Sequence, residues 1–315
     1  MAVVTSDFLA GLLTQYRALF EREFRAAMQG QWWPNVAMRF ETPGQATGSY
    51  NWLGTVPKLE DVSHKTVSIS GLASFNFSLQ NAEFQAAIEV ERTAIERDQL
   101  GLISPRVMQL GMEAARYPAE QLCNLVLNNA NAFDGAAFFA DTRVIGNSAN
   151  IDNVRAGTGT TVAQIQADIG TMNGVMQLFQ DDQGRPEGRK INTFMVPTTL
   201  EVAFWQALNR TAGDNVVSPI PPQSINAGIT MWAASGYNVI VNPYLTDTND
   251  WYGFFVGGPA ERPFLYQVEK EYVIESDTNP NSRENIINRK FLYSCYGRWQ
   301  VALTDPRFGI KVTNT

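Results

Sequence analysis

The chain has 315 residues and a formal net charge of −7, with 44% hydrophobic and 17% charged residues. Such an acidic balance does not fit the basic excess typical of nucleic-acid-binding proteins, and no apolar run reaches the ~18 residues that a membrane-spanning helix needs. The length is sufficient for a large core and for two subdomains. Charged residues interrupt the apolar positions near the N-terminus, which argues against a signal peptide and predicts a protein kept in the cytosol.

The sequence offers few residues for catalytic or metal chemistry. It contains one histidine, His64, and two widely separated cysteines, Cys123 and Cys295. A zinc site built on these ligands lacks donors, and buried free thiols are the simpler interpretation. A serine–histidine–aspartate triad would have to use His64, which lies in a polar, loop-like stretch. We therefore predict no catalytic residue, no cofactor and no metal.

Residues 6–29 repeat apolar positions at helical spacing and predict an amphipathic helix, the arm helix. Phe8, Leu12 and Phe20 belong to its apolar face, which we expect to pack against another protein surface. Two interpretations are equally compatible with the pattern. The face packs in the core of its own chain, or residues 1–45 form an arm that docks on a neighbouring subunit.

Residues 46–92 alternate in the manner of strands and show almost no helical signal. The stretch SFNFSLQ (74–80) places its apolar residues at one parity, and from Phe84 onward the apolar residues occupy the other parity. A period-2 pattern changes parity only at a bulge or at a change of environment. We predict a long hairpin with a polar tip at 58–65, whose arms pass from one environment into another. An isolated hairpin is only marginally stable in water, so we expect one of its faces to pack against another surface.

Residues 104–132 form the stretch around which the chain is organised. Ser104 is placed as an N-cap and Pro105 at the first helical position. At ~1.5 Å per residue the helix would be roughly 40 Å long, and Pro118 inside it predicts a kink. We call it the spine helix, because other layers are expected to lie along it.

The remaining segments predict two groups of elements. Helices and strands alternate over 155–260, as in an α/β-like subdomain, and long strand-like runs in 261–315 are expected to pair with the spine layer. The adjacent pair Phe138 and Phe139 lies in a loop between these groups. Core anchoring of that loop is preferred over contact with a ligand.

Several short motifs occur in a definite order along the chain. They comprise Tyr50 to Gly54 with Pro57, Glu96 to Gly101, Met112 to Leu122, Asp134-Gly135 with Phe138-Phe139, Arg262-Pro263-Phe264 with Tyr266-Gln267, and Phe291-Leu292-Tyr293 with Gly297 and Trp299-Gln300. Together with the order of parts, these motifs resemble the Hong Kong 97-type major capsid fold of tailed bacteriophages. More narrowly, the chain resembles the Mu-like major head subunit (gpT) family. One departure is Arg143-Val144, where that family often has His-Pro.

The resemblance implies an α+β fold and a structural function without catalysis. It implies a major capsid protein whose copies assemble as hexamers and pentamers into the icosahedral shell of a virion. The implied partners are copies of the chain itself, a separate scaffold protein, a portal, a decoration protein and packaged double-stranded DNA held without specific binding. No membrane is involved, and synthesis takes place in the cytoplasm of a bacterial host. The implied domains are an N-terminal arm (1–45), an extended hairpin or E-loop (46–92), a peripheral domain with the spine helix (93–154), an axial domain (155–260) and peripheral C-terminal strands (261–315).

The resemblance also suggests which residues contact neighbouring subunits. They are Phe8, Leu12, Phe20, Tyr50, Trp52, Leu53, Phe75 and Phe77. Some capsids of this fold form a lysine–asparagine isopeptide bond, for which Lys58 and Lys65 near the hairpin tip are candidates. Lysines that keep a polar tip soluble are the preferred interpretation.

Three alternatives remain to be separated from this interpretation. The first is an encapsulin-type nanocompartment shell of the same fold, and the second is a tail or baseplate protein. The third is a hydrolase that uses paired carboxylates, either Asp181 with Asp182 or Glu269 with Glu271. Adjacent acids on a turn or a strand are more often solvated faces.

Overall fold

A computed structural model describes residues 6–53, 74–91, 93, 100–208, 236–277 and 282–314. Its helices are α1 (Ser6–Gln29), α2 (Trp33–Val36), α3 (Leu100–Leu127), α4 (Val162–Gln177), α5 (Glu201–Leu208) and α6 (Arg283–Ile287). Its strands are β1 (Ala37–Glu41), β2 (Thr47–Leu53), β3 (Ser74–Gln80), β4 (Ala82–Glu91), β5 (Val154–Ala156), β6 (Thr193–Val196), β7 (Asn238–Val241), β8 (Trp251–Phe254), β9 (Phe264–Asp277), β10 (Lys290–Leu303) and β11 (Gly309–Thr313). Helix α1 is the predicted arm helix.

The first sheet has four strands in the order β1-β9-β10-β4. Strands β9 and β10 run antiparallel, β4 runs antiparallel to β10, and β1 runs parallel to β9. Side chains of β10 alternate between buried and partly buried along most of the strand, as expected for a sheet with one face on a core. Helices α1 and α3 cover that face. Neither β1 nor α2 was predicted from the sequence.

The second sheet has five strands in the order β5-β11-β8-β6-β7, and α4 and α5 pack on it. Most of it comes from the region predicted as the α/β-like subdomain. The exception is β11, which the sequence placed with the peripheral strands of 261–315. It pairs instead with β5 and β8, because Ile310 and Val312 alternate into the core of this second sheet, where both are fully buried.

Helix α3 is the predicted spine helix, but it begins at Leu100 rather than after an N-cap at Ser104. Pro105 therefore lies inside the helix, as Pro118 does. Each proline removes one intrahelical hydrogen bond. Close to Pro118, the Trp33 indole donates a hydrogen bond to the Ala115 carbonyl (3.3 Å). At ~1.5 Å per residue the helix is about 42 Å long.

One continuous core joins α3 to both sheets. It includes Ala119, Leu122 and Val126 of α3, together with Phe254 of the second sheet and Trp299 of the first. The spine therefore holds the two sheets together, as its length suggested. Among the described helices, none is long and apolar enough to cross a membrane.

The predicted change of environment in the hairpin is confirmed. Strand β3 pairs with β2 in a separate two-stranded sheet, whereas β4 pairs with β10, and the single residue Asn81 lies between them. The parity of the apolar residues changes because the chain leaves one sheet and enters another. The predicted polar tip at 58–65, with Lys58, His64 and Lys65, lies outside the described residues.

Candidate assembly surfaces

The base of the β2–β3 hairpin packs on the body of its own chain. Tyr50 and Phe77 face each other in the antiparallel register, and with Leu79 they contact Met38, Leu265 and Ala302 on the outer face of the first sheet. The Tyr50 ring meets Phe40 edge to face at 5.2 Å. Tyr50 and Phe77 are partly buried, so part of each side chain remains accessible to a neighbouring copy.

The Tyr50 hydroxyl is bonded within the chain. It donates a hydrogen bond of 2.6 Å to the Gln267 side-chain oxygen on β9. Burial raises the pKa of Tyr50 to about 12, so the hydroxyl keeps its donor proton at neutral pH. Tyr50 and Gln267 come from two motifs far apart in the sequence, and the fold brings them together.

Helix α1 lies on the chain's own core. Leu12, Tyr16 and Phe20 are almost fully buried against α3 and β10. The approach of α1 to α3 is close at Gly111, where an added Cβ would meet the Phe20 carbonyl oxygen at 2.8 Å. Leu12 and Phe20 thus pack in the core of their own chain, one of the two interpretations that the sequence allowed, and a contact of these two residues with a neighbouring subunit stays a prediction.

Four of the predicted contact residues have side chains outside the described part of the structure. Their backbones lie in α1, β2 and β3. Their contacts with neighbouring subunits stay predictions, and they are Phe8, Trp52, Leu53 and Phe75.

Several large apolar side chains are exposed in places that the sequence did not single out. Ile286 and Ile287 at the end of α6 are each 64% exposed, and on α5 Val202 and Trp205 are 65% and 41% exposed. Solvent-exposed patches of large apolar side chains often mark surfaces that contact other proteins. The available sequence signal was an adjacent isoleucine pair flanked by polar residues, between the two long strands β9 and β10.

The paired carboxylates considered for a hydrolase are engaged in structural contacts. Asp181 is buried and accepts hydrogen bonds from the backbone of Gln183 and Arg185 and from the Arg185 guanidinium (2.7–2.9 Å). Burial alone would raise its pKa, but these hydrogen bonds outweigh it and lower the pKa. The interpretation of Asp181 and Asp182 as a solvated face is therefore wrong, since both are buried in the fold.

The second carboxylate pair is also engaged. Glu269 forms an ion pair with Arg298 at 3.1 Å, and Glu271 forms one with Arg39. The Glu269 side chain is almost fully buried, whereas the Glu271 side chain is 44% exposed, so the two carboxylates lie in different environments. In the part of the chain that the structure covers, no three His, Cys, Asp or Glu residues are grouped so as to hold a metal ion.

The two cysteines are free and buried, as predicted. Burial raises the pKa of Cys123 and of Cys295 to about 12 in each case. Neither thiol forms the reactive thiolate at neutral pH to a significant extent.

The loop motif with two phenylalanines anchors the core, as predicted. Phe138 and Phe139 are buried between α3 and the second sheet. Arg143, at the position where the sequence departs from the family pattern, is buried with them and pairs with Asp134 of the same motif at 3.2 Å. Burial lowers the pKa of Arg143. The departure thus supplies an internal ion pair for the loop.

Solved structures with the same arrangement are viral and virus-like shells. The procapsid protein of bacteriophage JBD30 has a TM-score of 0.56 at 17% identity, covering 99% of this chain and 77% of that one. The virus-like particle from Pyrococcus furiosus has a TM-score of 0.53 at 8% identity, covering 96% of this chain and 99% of that one. These similarities show the fold, which is the predicted Hong Kong 97-type capsid fold.

The sequence itself places the chain within that class. The family described as Mu-like prophage major head subunit gpT matches residues 9–168, which is 160 of the 315 residues. The chain belongs to this family.

Two curated relatives match parts of the chain. The major capsid protein of Escherichia phage Mu is 26% identical over 162 residues, 51% of this chain and 50% of the relative. The Mu-like prophage FluMu major head subunit of Haemophilus influenzae is 32% identical over 111 residues, 34% of each chain. The match therefore spans about half of the first relative and about a third of the second.

Proposed function

We propose that the chain is a major head protein, whose copies assemble as hexamers and pentamers into the closed icosahedral shell of a tailed bacteriophage. The observation that carries this proposal is the match of the Mu-like head subunit family to half of the chain, on a capsid fold that extends over the whole of it. The function is structural, and catalysis has no part in it.

The surfaces of the described chain support contact between copies. Tyr50 and Phe77 keep exposed area on the hairpin, while the exposed isoleucines at the end of α6 and the exposed apolar side chains of α5 lie at separate places on the molecule. Obligate assemblies bury apolar surface of this kind between subunits. A subunit of a closed lattice needs several such contacts, because it meets several neighbours at once.

The remaining partners follow from the same role. A separate scaffold protein would guide assembly, a portal would occupy one vertex, and a decoration protein would bind the finished shell. The packaged DNA would be held without specific contacts, which suits a net charge of −7, because strong attraction to DNA depends on basic residues that neutralise its phosphates. The protein would be made in the cytoplasm of the bacterial host and function in the virion.

Expression of the chain with its scaffold protein, followed by sedimentation and negative-stain electron microscopy, tests the proposal. We expect closed particles of uniform diameter that sediment far ahead of the monomer. Tubes or rings would support a tail or baseplate protein, and monomers alone would contradict an assembly role. Native particles filled with protein rather than DNA would support the nanocompartment alternative.

A further inference from the structure

A single glutamine of β9 lies beneath the base of the hairpin. Gln267 is completely buried, and its side chain makes three hydrogen bonds. Its oxygen accepts from the Tyr50 hydroxyl of β2 (2.6 Å), and its nitrogen donates to the Leu79 carbonyl of β3 (3.1 Å) and to the Asn81 side-chain oxygen (2.7 Å). Every one of these partners belongs to the hairpin or to the residue that ends it.

Asn81 extends these bonds to the other side of the hairpin base. Its side-chain nitrogen donates to the Gln45 carbonyl (2.9 Å) and to the Thr42 hydroxyl (3.3 Å), and its backbone nitrogen donates to the Ala46 carbonyl (2.8 Å). The turn that enters β2 and the residue that leaves β3 are thereby joined to the same glutamine. We call Gln267, Tyr50 and Asn81 the hairpin anchor.

The backbone at Gly48 leaves the space that the anchor needs. A Cβ at this position would overlap the Gln267 side-chain amide. Gly48 is paired with Leu79 across the hairpin, so β2 can lie directly over the amide only because this residue has no side chain. The glycine and the glutamine therefore fit each other.

The anchor differs in kind from the apolar contacts beside it. The hairpin packs on an apolar surface formed by Met38, Leu265 and Ala302. These contacts oppose separation of the hairpin from the sheet, but they permit small rotations because apolar contacts are not directional. Hydrogen bonds require aligned donors and acceptors. A buried amide that lost its partners would also be costly, which holds the hairpin in one orientation.

We propose that Gln267 is a positioning residue, which acts through Tyr50 and Asn81 to set the direction in which the β2–β3 hairpin leaves the body of the chain. This inference rests on the proposed function, because the direction of the hairpin decides how it meets the neighbouring copy in a shell. Fixing that direction before assembly favours one curvature, and therefore one particle size.

The first test measures amide hydrogen exchange on the unassembled chain. Tyr50→Phe removes one hydroxyl, and Gln267→Met removes all three bonds at similar side-chain length. We expect amide exchange in 47–53 and 74–80 to become at least fivefold faster in Gln267→Met and at least twofold faster in Tyr50→Phe. Exchange in 264–268 should change less than twofold.

The matched control is Gln300→Met. Gln300 lies directly opposite Gln267 in the register of β9 and β10, and its side-chain oxygen accepts from the Val301 backbone nitrogen of its own strand (3.0 Å). This variant should leave exchange in the hairpin unchanged. Equal acceleration in both glutamine variants would overturn the proposal, as would unchanged exchange in Gln267→Met and Tyr50→Phe.

The second test measures particle diameters after assembly with the scaffold protein. The Gln267→Met and Tyr50→Phe chains should give a distribution of diameters at least twofold broader than the wild-type and Gln300→Met chains. Diameters as uniform as those of the wild type, despite faster exchange, would overturn the link to curvature. Failure of the wild-type chain to assemble would instead contradict the proposed function, while the exchange measurement would still decide whether the anchor exists.

Discussion

Helix α1 and the β2–β3 hairpin carry the same kind of sequence signal, an aromatic-rich face without an obvious partner, but the chain uses them differently. On α1, Tyr16 and Phe20 are buried in the chain's own core. On the hairpin, Tyr50 and Phe77 are only partly buried, and polar bonds to β9 secure the base. Periodicity thus reveals that a face is covered, but it does not reveal which chain covers it.

The two contacts also differ in their polar groups. The Tyr16 and Tyr293 rings pack edge to face at 5.1 Å under α1, and within the described chain neither hydroxyl has a hydrogen-bond partner. The hairpin base, in contrast, satisfies both donors of the Gln267 amide. The α1 contact stabilises the fold, while the hairpin contact fixes a direction. Four predictions test this difference, ordered by their expected effect on the free energy of unfolding.

Phe20→Ala should have the largest effect. It leaves a cavity between α1 and α3, and we expect the free energy of unfolding to fall by about 3–5 kcal/mol, measured by chemical denaturation. Arg17→Ala, on the exposed side of the same helix, should change it by less than about 0.5 kcal/mol. Equal and small effects of the two changes would mean that α1 does not lie on its own chain and serves as a docking arm.

Gly111→Ala should destabilise through overpacking. Its Cβ would press on the Phe20 carbonyl oxygen and approach the Phe24 nitrogen at 3.2 Å, at an expected cost of about 1–3 kcal/mol. Gly174→Ala is the matched control on α4, where nothing lies within 4 Å of the added methyl group. That change should raise the free energy of unfolding by about 0.5–1 kcal/mol, since alanine favours a helix over glycine. Stabilisation by both changes would argue against the close contact of α1 with α3.

The same substitution should act with opposite sign in the two regions. Tyr16→Phe removes a buried hydroxyl without a partner in the described structure and should raise the free energy of unfolding by about 1 kcal/mol. Tyr50→Phe removes the donor to Gln267 and should lower it by about 1 kcal/mol. Thermal denaturation at matched pH checks both values. If both substitutions changed the free energy of unfolding in the same direction, the two contacts would not differ in their polar groups as described.

A double change of Ile286→Asp and Ile287→Asp should have the smallest effect on folding. Both side chains are exposed, so the free energy of unfolding should change by less than about 0.5 kcal/mol, while the yield of closed particles falls at least tenfold. Asn288→Asp places a charge on the next exposed residue and should leave particle yield within twofold of wild type. Normal yield from the double variant would show that this part of α6 faces solvent in the shell.

Much of the fold follows from local sequence. The period of 3.6 located α1, the change of parity located the junction at Asn81, and the order of parts matched the capsid fold. The predictions were wrong where contacts between residues far apart in the sequence determine the structure. Strand β11 joins the second sheet, where it pairs with β5 and β8 and buries Ile310 and Val312. Helix α3 continues upstream of Ser104, although a local cap signal lies there.

The candidate surfaces were less predictable than the fold. The aromatic pattern selected Tyr50 and Phe77 correctly as hairpin residues, but it could not show that their base rests on β9. Gln267 lay in a recognised motif without an assigned role, because its importance depends on partners about 190 and 220 residues away in sequence. The role of Gln267 becomes evident only in the folded chain, where the β2–β3 hairpin lies against the first sheet.

A cryo-electron microscopy reconstruction of the assembled particle, at a resolution that shows side chains, would reveal which chain each of these two surfaces contacts. We expect a closed icosahedral shell in which the β2–β3 hairpin lies over a neighbouring copy with Gln267 bonded to Tyr50, while Leu12 and Phe20 remain on α3 of their own chain. A hairpin that contacts no neighbour, or an α1 whose apolar face lies on another copy, would contradict it.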